Sequence, residues 1–335
     1  MASLSHALDL LSQHTTMTLV ICFLAGIGTL VTAIVLFCLS RAVFIYFLRP
    51  TSLTCYLSND TAHPSWALIT GSTDGIGLGF AKELCSRGFN VLLHGRNMGK
   101  LQRVKSELLT AFPTRSVAIA VADASDFNQT SLYTLVQQAS NLPDGGRLRI
   151  LVNNVGGTTN LIGKGIFCPL QDMSLDEVDK LINVNVRFPT RLTAALLPVL
   201  TCDLNTPSLI VNMGSTAGVS NLPYMVVYSA TKAFNLAFSE ALGKEMKAQR
   251  LAVESLGFVI GSVDTPGAPK DNQGNILVME PREMAKACLD KCGCGQWILE
   301  GIWSHWVLSI FSKVVPEFIM VGRIKDLYLK QKKGK

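Results

Sequence analysis

The chain has 335 residues, 48% of them hydrophobic and only 16% charged, with a formal net charge of +6. Length allows one large domain or two smaller ones, and so apolar a composition prompts a search for a membrane segment. The charge excludes a nucleic-acid surface on the body. Six basic residues and one acid lie between Arg323 and Lys335, which leaves the rest of the chain near neutral. Nine cysteines at irregular spacings exclude a disulfide framework. Cys288, Cys292 and Cys294 cluster with only His305 nearby, too few ligands for a zinc site, so no metal is expected.

In chain order, residues 1–16 read as a short N-terminal segment and 17–48 as a membrane anchor. Met17 to Ser40 carries no charge, and about 20 apolar residues span a bilayer. A cleaved signal peptide fits poorly, because the first 16 residues contain no Lys or Arg. Arg41 and Arg49 follow the apolar run, and the positive-inside rule then places the remainder in the cytosol. Residues 49–65 form a polar linker. From Trp66 short apolar runs alternate with amphipathic stretches, the pattern of βαβ units and a parallel sheet. Strands are predicted at Ala67–Thr70, Asn90–His94, Ser116–Ala122, Arg149–Asn153, Ser208–Met213 and Ala252–Phe258. Helices are predicted over Ile76–Gly88, from a capping box at Ser174 and Glu177, and from Pro281.

This α/β region, a doubly wound parallel sheet, is expected to fill residues 66–295. Pro266 to Gly274 reads as a loop. The apolar stretch 296–322 is interrupted by charges and Pro316. It reads as a substrate lid, an interfacial helix or an ordinary core helix. The basic tail, 323–335, ends in Lys332-Lys333-Gly334-Lys335, which looks like a dilysine retrieval signal of endoplasmic-reticulum membrane proteins. Asn59-Asp60-Thr61 and Asn128-Gln129-Thr130 are glycosylation sequons, expected to stay bare on the cytosolic side.

Four motifs stand in fixed order: Thr70-Gly71-Ser72-Thr73-Asp74-Gly75-Ile76-Gly77, Asn153-Asn154-Val155-Gly156, Ser215, and Tyr228-Ser229-Ala230-Thr231-Lys232. A second Tyr-x-x-x-Lys, Tyr328 to Lys332, lies in the basic tail, where no chemistry is expected. A Gly-rich turn between a strand and a helix lets the backbone approach a pyrophosphate closely, at a helix N-terminus that attracts anions. The second strand ends in His94-Gly95-Arg96-Asn97, with no acid for a ribose hydroxyl and one guanidinium suited to a 2′-phosphate, which favours NADP(H). Lys232 lies one helical turn after Tyr228 and presents a cation on the same face. Such a cation favours the phenolate and fits Tyr228 for proton transfer. Ser215 is placed to stabilise an oxyanion.

Together these motifs resemble the short-chain dehydrogenase/reductase family. The resemblance implies a Rossmann-like sheet and hydride transfer with a nicotinamide cofactor. The implied catalytic group is Asn185, Ser215, Tyr228 and Lys232, with Asn183 competing for the first place. The implied cofactor site is Gly71, Ser72, Thr73, Asp74, Gly75, Ile76, Gly77, Arg96, Asp123, Asn154, Tyr228, Lys232, Val263 and Thr265. In Ile260-Gly261-Ser262-Val263-Asp264-Thr265 the family's usual Pro before the Gly is replaced by Ile260. With the anchor and tail, the chain is similar to one branch, that of microsomal 17β-hydroxysteroid dehydrogenases and very-long-chain 3-oxoacyl-CoA reductases. The expected reaction interconverts a ketone and a secondary alcohol on a lipophilic substrate: a steroid, a triterpenoid or another polycyclic lipid, or a 3-oxoacyl-CoA of fatty-acid elongation. An NADPH-binding scaffold with little turnover is the alternative of another class. The expected partners are the membrane, the substrate and a second copy of the chain in a homodimer. The expected setting is the endoplasmic-reticulum membrane, crossed once.

Overall fold

The computed structural model describes residues 2–60, 62–126, 129–203, 205–265 and 278–333. Thr61, Asn128, the whole Pro266–Gly274 loop and the final Gly334-Lys335 lie outside them. The chain divides into two compact units, Met1–Arg49 and Pro50–Lys335.

The first unit is one helix, α1 (Ala2–Val43), running into a single π-helical turn at Phe44–Leu48. Residues 14–48 are long and apolar enough to cross a membrane, and none of that stretch is buried within the protein. The hydroxyls of Thr18, Thr29 and Thr32 donate to the carbonyls of His14, Ala25 and Gly28 at 2.8–2.9 Å. Such bonds satisfy polar groups that a bilayer cannot. The separate segment expected over 1–16 belongs to the same helix, because no Gly or Pro lies before Gly26 to break it.

The second unit is built on a seven-stranded parallel sheet in the order β3-β2-β1-β4-β5-β6-β7. The strands are β1 (Ser65–Thr70), β2 (Asn90–Gly95), β3 (Val117–Val121), β4 (Arg147–Asn153), β5 (Ser208–Met213), β6 (Val253–Val259) and β7 (Ile298–Glu300). Every residue of β1, β2 and β5 is buried, as expected of strands covered by helices on both faces. The helices are α2 (Gly75–Ser86), α3 (Met98–Ala111), α4 (Gln129–Ser140), α5 (Leu175–Ile182), α6 (Phe188–Leu200), α7 (Thr216–Ser220), α8 (Val226–Ala248), α9 (Pro281–Leu289), α10 (Trp303–Val314) and α11 (Glu317–Lys333). Trp66, Leu68, Leu151, Leu192, Leu196 and Ile210 belong to one continuous core. The predicted strands and the Pro281 helix start are present, and the Ser174/Glu177 capping box is made in both directions.

Two features depart from the sequence reading. The sheet continues past residue 295, because Ile298-Leu299-Glu300 pairs with Gly257-Phe258-Val259. The apolar stretch after it splits at Pro316 into α10 and α11. In α10 the usual pattern is inverted. Ser304, His305 and Ser309 are buried, while Trp303, Val307, Phe311 and Val314 are exposed. Soluble helices normally turn their apolar stripe inward.

Doubly wound sheets bind ligands beyond the carboxyl ends of the strands, where the strand order reverses. Here that point lies between β1 and β4.

Candidate active site

The turn after β1 meets the N-terminus of α2. Gly71 and Gly75 adopt positive φ, 65° and 52°. Asp74 caps α2, its carboxylate accepting from the Gly75 N–H at 2.9 Å. A Cβ on Gly77 would lie 2.2 Å from the Gly71 carbonyl oxygen, so the turn closes this tightly only around glycine. The buried Ser72 donates to the His94 carbonyl through its N–H (3.0 Å) and hydroxyl (3.2 Å), which binds the turn to β2. Thr73 lies against Gly95 and Thr265 against Gly75, their methyl carbons 3.1 Å from where each glycine's Cβ would stand. The loop after β6 therefore reaches over the phosphate turn. Val263 is buried and bridged to Met279.

Arg96 is exposed where β2 ends, and Asp123 follows β3. Burial raises the Asp123 carboxyl. The Ser125 backbone and hydroxyl, both 2.8 Å away, and the Arg96 charge outweigh that and hold it below the usual carboxylate range. Arg96 and Asp123 thus stand within electrostatic reach of each other on one rim. Asn154 serves the turn itself: its amide donates to the carbonyls of Thr70 (2.9 Å) and Gly71 (3.3 Å). Thr70 is a crosslinker that sequence reasoning missed. Its hydroxyl donates to Val152 O and accepts from the N–H groups of Asn154 and Val155.

Ser215 follows β5 by two residues and caps α7, its Oγ accepting from the Ala217 N–H at 3.2 Å. Tyr228 and Lys232 share one face of α8, with Nζ 5.9 Å from the centre of the phenol ring. Burial pushes the Tyr228 phenol above its ordinary value, while a hydrogen bond with Ser215 pulls it back. Burial likewise lowers the Lys232 ammonium to about 8. Its Nζ donates to the Met213 carbonyl at 2.7 Å, which anchors the cation under the phenol. In this arrangement burial outweighs the Ser215 hydrogen bond, and the phenol stays above its ordinary value.

Asn185 is fully buried in the π-helical turn Asn183–Arg187 between α5 and α6. It accepts from Gly157 N–H and donates to Gly157 O, both at 2.9 Å, and donates to the Thr231 hydroxyl at 3.1 Å. Asn185 Oδ1 and Lys232 Nζ lie 3.0 and 3.1 Å from where a Cβ on Gly156 would stand. Asn183 instead lines a small cleft with Asp123, Arg187 and Phe188. The geometry therefore groups Asn185, and not Asn183, with Lys232.

His305 is the second residue that sequence reasoning missed. From α10 its Nδ1 accepts the Gly261 N–H at 3.1 Å, bracing the turn where Ile260 replaces the family's Pro. Burial lowers its pKa to about 4, so it is neutral near pH 7. No local signal announces a contact spanning 44 residues. Among the described residues no group of three His, Cys, Asp or Glu could hold a metal ion.

The model of the short chain dehydrogenase family matches residues 65–275, more than half of the chain. A very-long-chain 3-oxoacyl-CoA reductase of Coprinopsis cinerea is 33% identical over 264 residues, 75% of this chain and 72% of that protein. One of Neurospora crassa is 31% identical over 310 residues, 88% of this chain and 85% of its own. In three dimensions the chain is similar to a structure from work on 7β-hydroxysteroid dehydrogenase stereoselectivity. Its TM-score is 0.67 at 20% identity, covering 79% of this chain and 98% of that one; at that identity the likeness concerns the fold.

Proposed function

Because this chain belongs to the short-chain dehydrogenase/reductase family, we propose that it reduces the ketone of a lipophilic 3-oxoacyl-CoA at the expense of NADPH. The observation that carries the chemistry is the convergence of Ser215, Tyr228, Lys232 and Asn185 at the carboxyl end of the sheet. The substrate class is supported by the relatives' names and by the 88% of this chain that the Neurospora alignment spans.

The turn at Gly71–Gly77 fits a dinucleotide, since three glycines let it close tightly on the N-terminus of α2, where a pyrophosphate would be held. Arg96 would hold the 2′-phosphate, Asp123 the adenine edge, and Val263 and Thr265 the carboxamide side. When bound, NADPH supplies the hydride. Ser215 donates a hydrogen bond to the substrate carbonyl and steadies the developing oxyanion. Tyr228 gives that oxygen its proton. Its raised pKa keeps the phenol protonated at neutral pH, the form that reduction needs. Lys232 stabilises the phenolate left behind and would hold the nicotinamide ribose. Asn185 holds the Gly156–Gly157 backbone beside Lys232 and orders a proton path to it.

The enzyme is placed in the endoplasmic-reticulum membrane, with α1 crossing once and residues 50–335 in the cytosol, as a homodimer. The lack of charge from Met17 to Ser40 and the arginines that follow support the membrane crossing and its orientation. Asn59 and Asn128 then stay unglycosylated, and a mass loss on endoglycosidase treatment would reverse the orientation. The reaction is tested by NADPH oxidation with the detergent-solubilised full chain. The panel is a long-chain 3-oxoacyl-CoA beside steroid and terpenoid ketones. Turnover of the acyl-CoA is expected; turnover of polycyclic ketones alone would move the substrate class. NADPH binding with no turnover of any ketone would favour a scaffold.

A further inference from the structure

The second Tyr-x-x-x-Lys, Tyr328 to Lys332, lies on α11, beyond the residues that the family shares. Ile324, Tyr328 and Gln331 form the partly buried face of that helix, whereas Lys325, Lys330, Lys332 and Lys333 point to solvent. The Gln331 amide reads the backbone of the loop between β4 and α5. Its Oε1 accepts the N–H groups of Ile166 (2.8 Å) and Phe167 (3.1 Å), and its Nε2 donates to the Phe167 carbonyl (2.8 Å). It thus meets donor and acceptor of one residue together, as a neighbouring β-strand would. Gly165 makes room for it: φ is +83°, and a Cβ there would stand 2.7 Å from the Gln331 amide.

One turn earlier on α11, Tyr328 stacks on Tyr224, ring centroids 4.4 Å apart and planes 11° from parallel. Tyr224 in turn accepts the Cys168 N–H on its carbonyl at 2.8 Å, and it holds a positive φ of 60°, a conformation costly for a bulky residue unless its surroundings enforce it. Four residues later the chain reaches Tyr228. The loop's base is pinned by Asn185 at Gly157, and Lys164 is paired with Glu177 at 2.7 Å. The C-terminal helix, the 157–173 loop and the segment entering α8 therefore meet at one junction beside the reacting group.

We propose that α11 is part of the substrate site: Tyr328 and Gln331 are positioning residues that hold the 157–173 loop against Tyr224 and so decide which acyl chain the enzyme accepts. The identity of the ligand as an acyl chain rests on the function proposed above; the hold on the loop does not. The loop starts at the carboxyl end of β4, where this sheet receives its ligands, and a wall fixed from three sides discriminates better than a mobile one. Neither residue reaches the proton path, so their loss changes binding of the chain and leaves the chemical step intact.

The test uses the full-length enzyme in detergent with Gln331→Ala, Tyr328→Ala and Tyr328→Phe. Hydrogen exchange in the loop peptide, NADPH affinity, and KM and kcat for a long-chain 3-oxoacyl-CoA are read on each. Both alanine variants are expected to speed exchange over residues 164–168 and to raise KM about tenfold, the worth of one or two hydrogen bonds for Gln331 and of an aromatic stack for Tyr328. They should leave kcat and NADPH affinity within about twofold, well under the 1.4 kcal/mol that a tenfold change represents. Tyr328→Phe keeps the stacked ring and should match the unaltered protein. Unchanged exchange and KM would overturn the proposal, as would a parallel fall of kcat and NADPH affinity, which marks a general loss of structure. If no ketone is turned over by the unaltered enzyme, the acyl-CoA reading fails first. Exchange over 164–168 then decides the latch alone: faster in both alanine variants upholds it, unchanged removes it.

Discussion

Arg96 and Lys232 carry charges with opposite surroundings, and their consequences differ accordingly. Arg96 is exposed at the rim within electrostatic reach of Asp123, so the phosphate contact proposed for it would be a charge-assisted one, worth about 1.5–3 kcal/mol. Arg96→Ala should weaken NADPH binding roughly ten- to a hundredfold and leave NADH binding unchanged; fluorescence titration with both cofactors checks it. Lys232 is buried, and burial disfavours its cation, bringing it to about 8. The charge is present below that pH and lost above it, while the Tyr228 phenol, raised by burial, keeps its proton to higher pH. For reduction, kcat/KM, which reports groups of the free enzyme, should fall as pH rises through about 8. Lys232→Arg, which stays charged, should remove that fall whatever its absolute rate. Ser215, Tyr228 and Lys232 were legible because thirteen residues of sequence separate the first two and one helical turn the others. The support from His305 and Gln331 was not, since their partners lie 44 and about 165 residues away.

At the scale of elements, one buried ion pair holds the middle of the sheet. Arg149 on β4 is 1% exposed. It pairs with Asp203, and its Nη1 donates to the Thr206 carbonyl at 3.0 Å. Arg149 and neighbouring backbone N–H groups hold the Asp203 carboxyl down to about 2. Its contribution to stability is therefore present above its unfolded value near 3.8 and lost as pH falls toward 2. Asp203→Ala leaves a buried guanidinium uncompensated and should cost about 3–5 kcal/mol, measured by denaturant unfolding of residues 50–335; a loss under about 1 kcal/mol would show that water reaches the arginine. Six of the seven strands were legible from continuous apolar runs such as Val91-Leu92-Leu93. β7 was not, because its three residues lie inside a longer apolar stretch where periodicity cannot separate strand from helix. The inverted α10 defeats the pattern for another reason: its buried positions are Ser304, His305 and Ser309, the reverse of what a sequence reader assigns to a core.

Among the described residues, α1 and α10 both present apolar side chains to their surroundings. On α10, Trp303, Phe311 and Val314 are 53, 64 and 75% exposed, with Lys313 beside them and the basic α11 following. Aromatic residues flanked by lysines suit a lipid interface. A chain beginning at Pro50 should therefore still float with vesicles containing anionic lipid, and Phe311→Glu with Val314→Glu should release it. Flotation that survives the double substitution would assign membrane contact elsewhere on the domain.

The central claim is that a ketone is reduced by proton donation from Tyr228 within an NADPH site built on the Gly71–Gly77 turn. Its most direct test is Tyr228→Phe in the full-length protein, with NADPH affinity and 3-oxoacyl-CoA-dependent NADPH oxidation measured on the same preparation. An unchanged affinity is expected, with a loss of at least about a hundredfold in turnover, the low end of general-acid contributions. Turnover within a few-fold of the unaltered enzyme, with NADPH still bound, would contradict it.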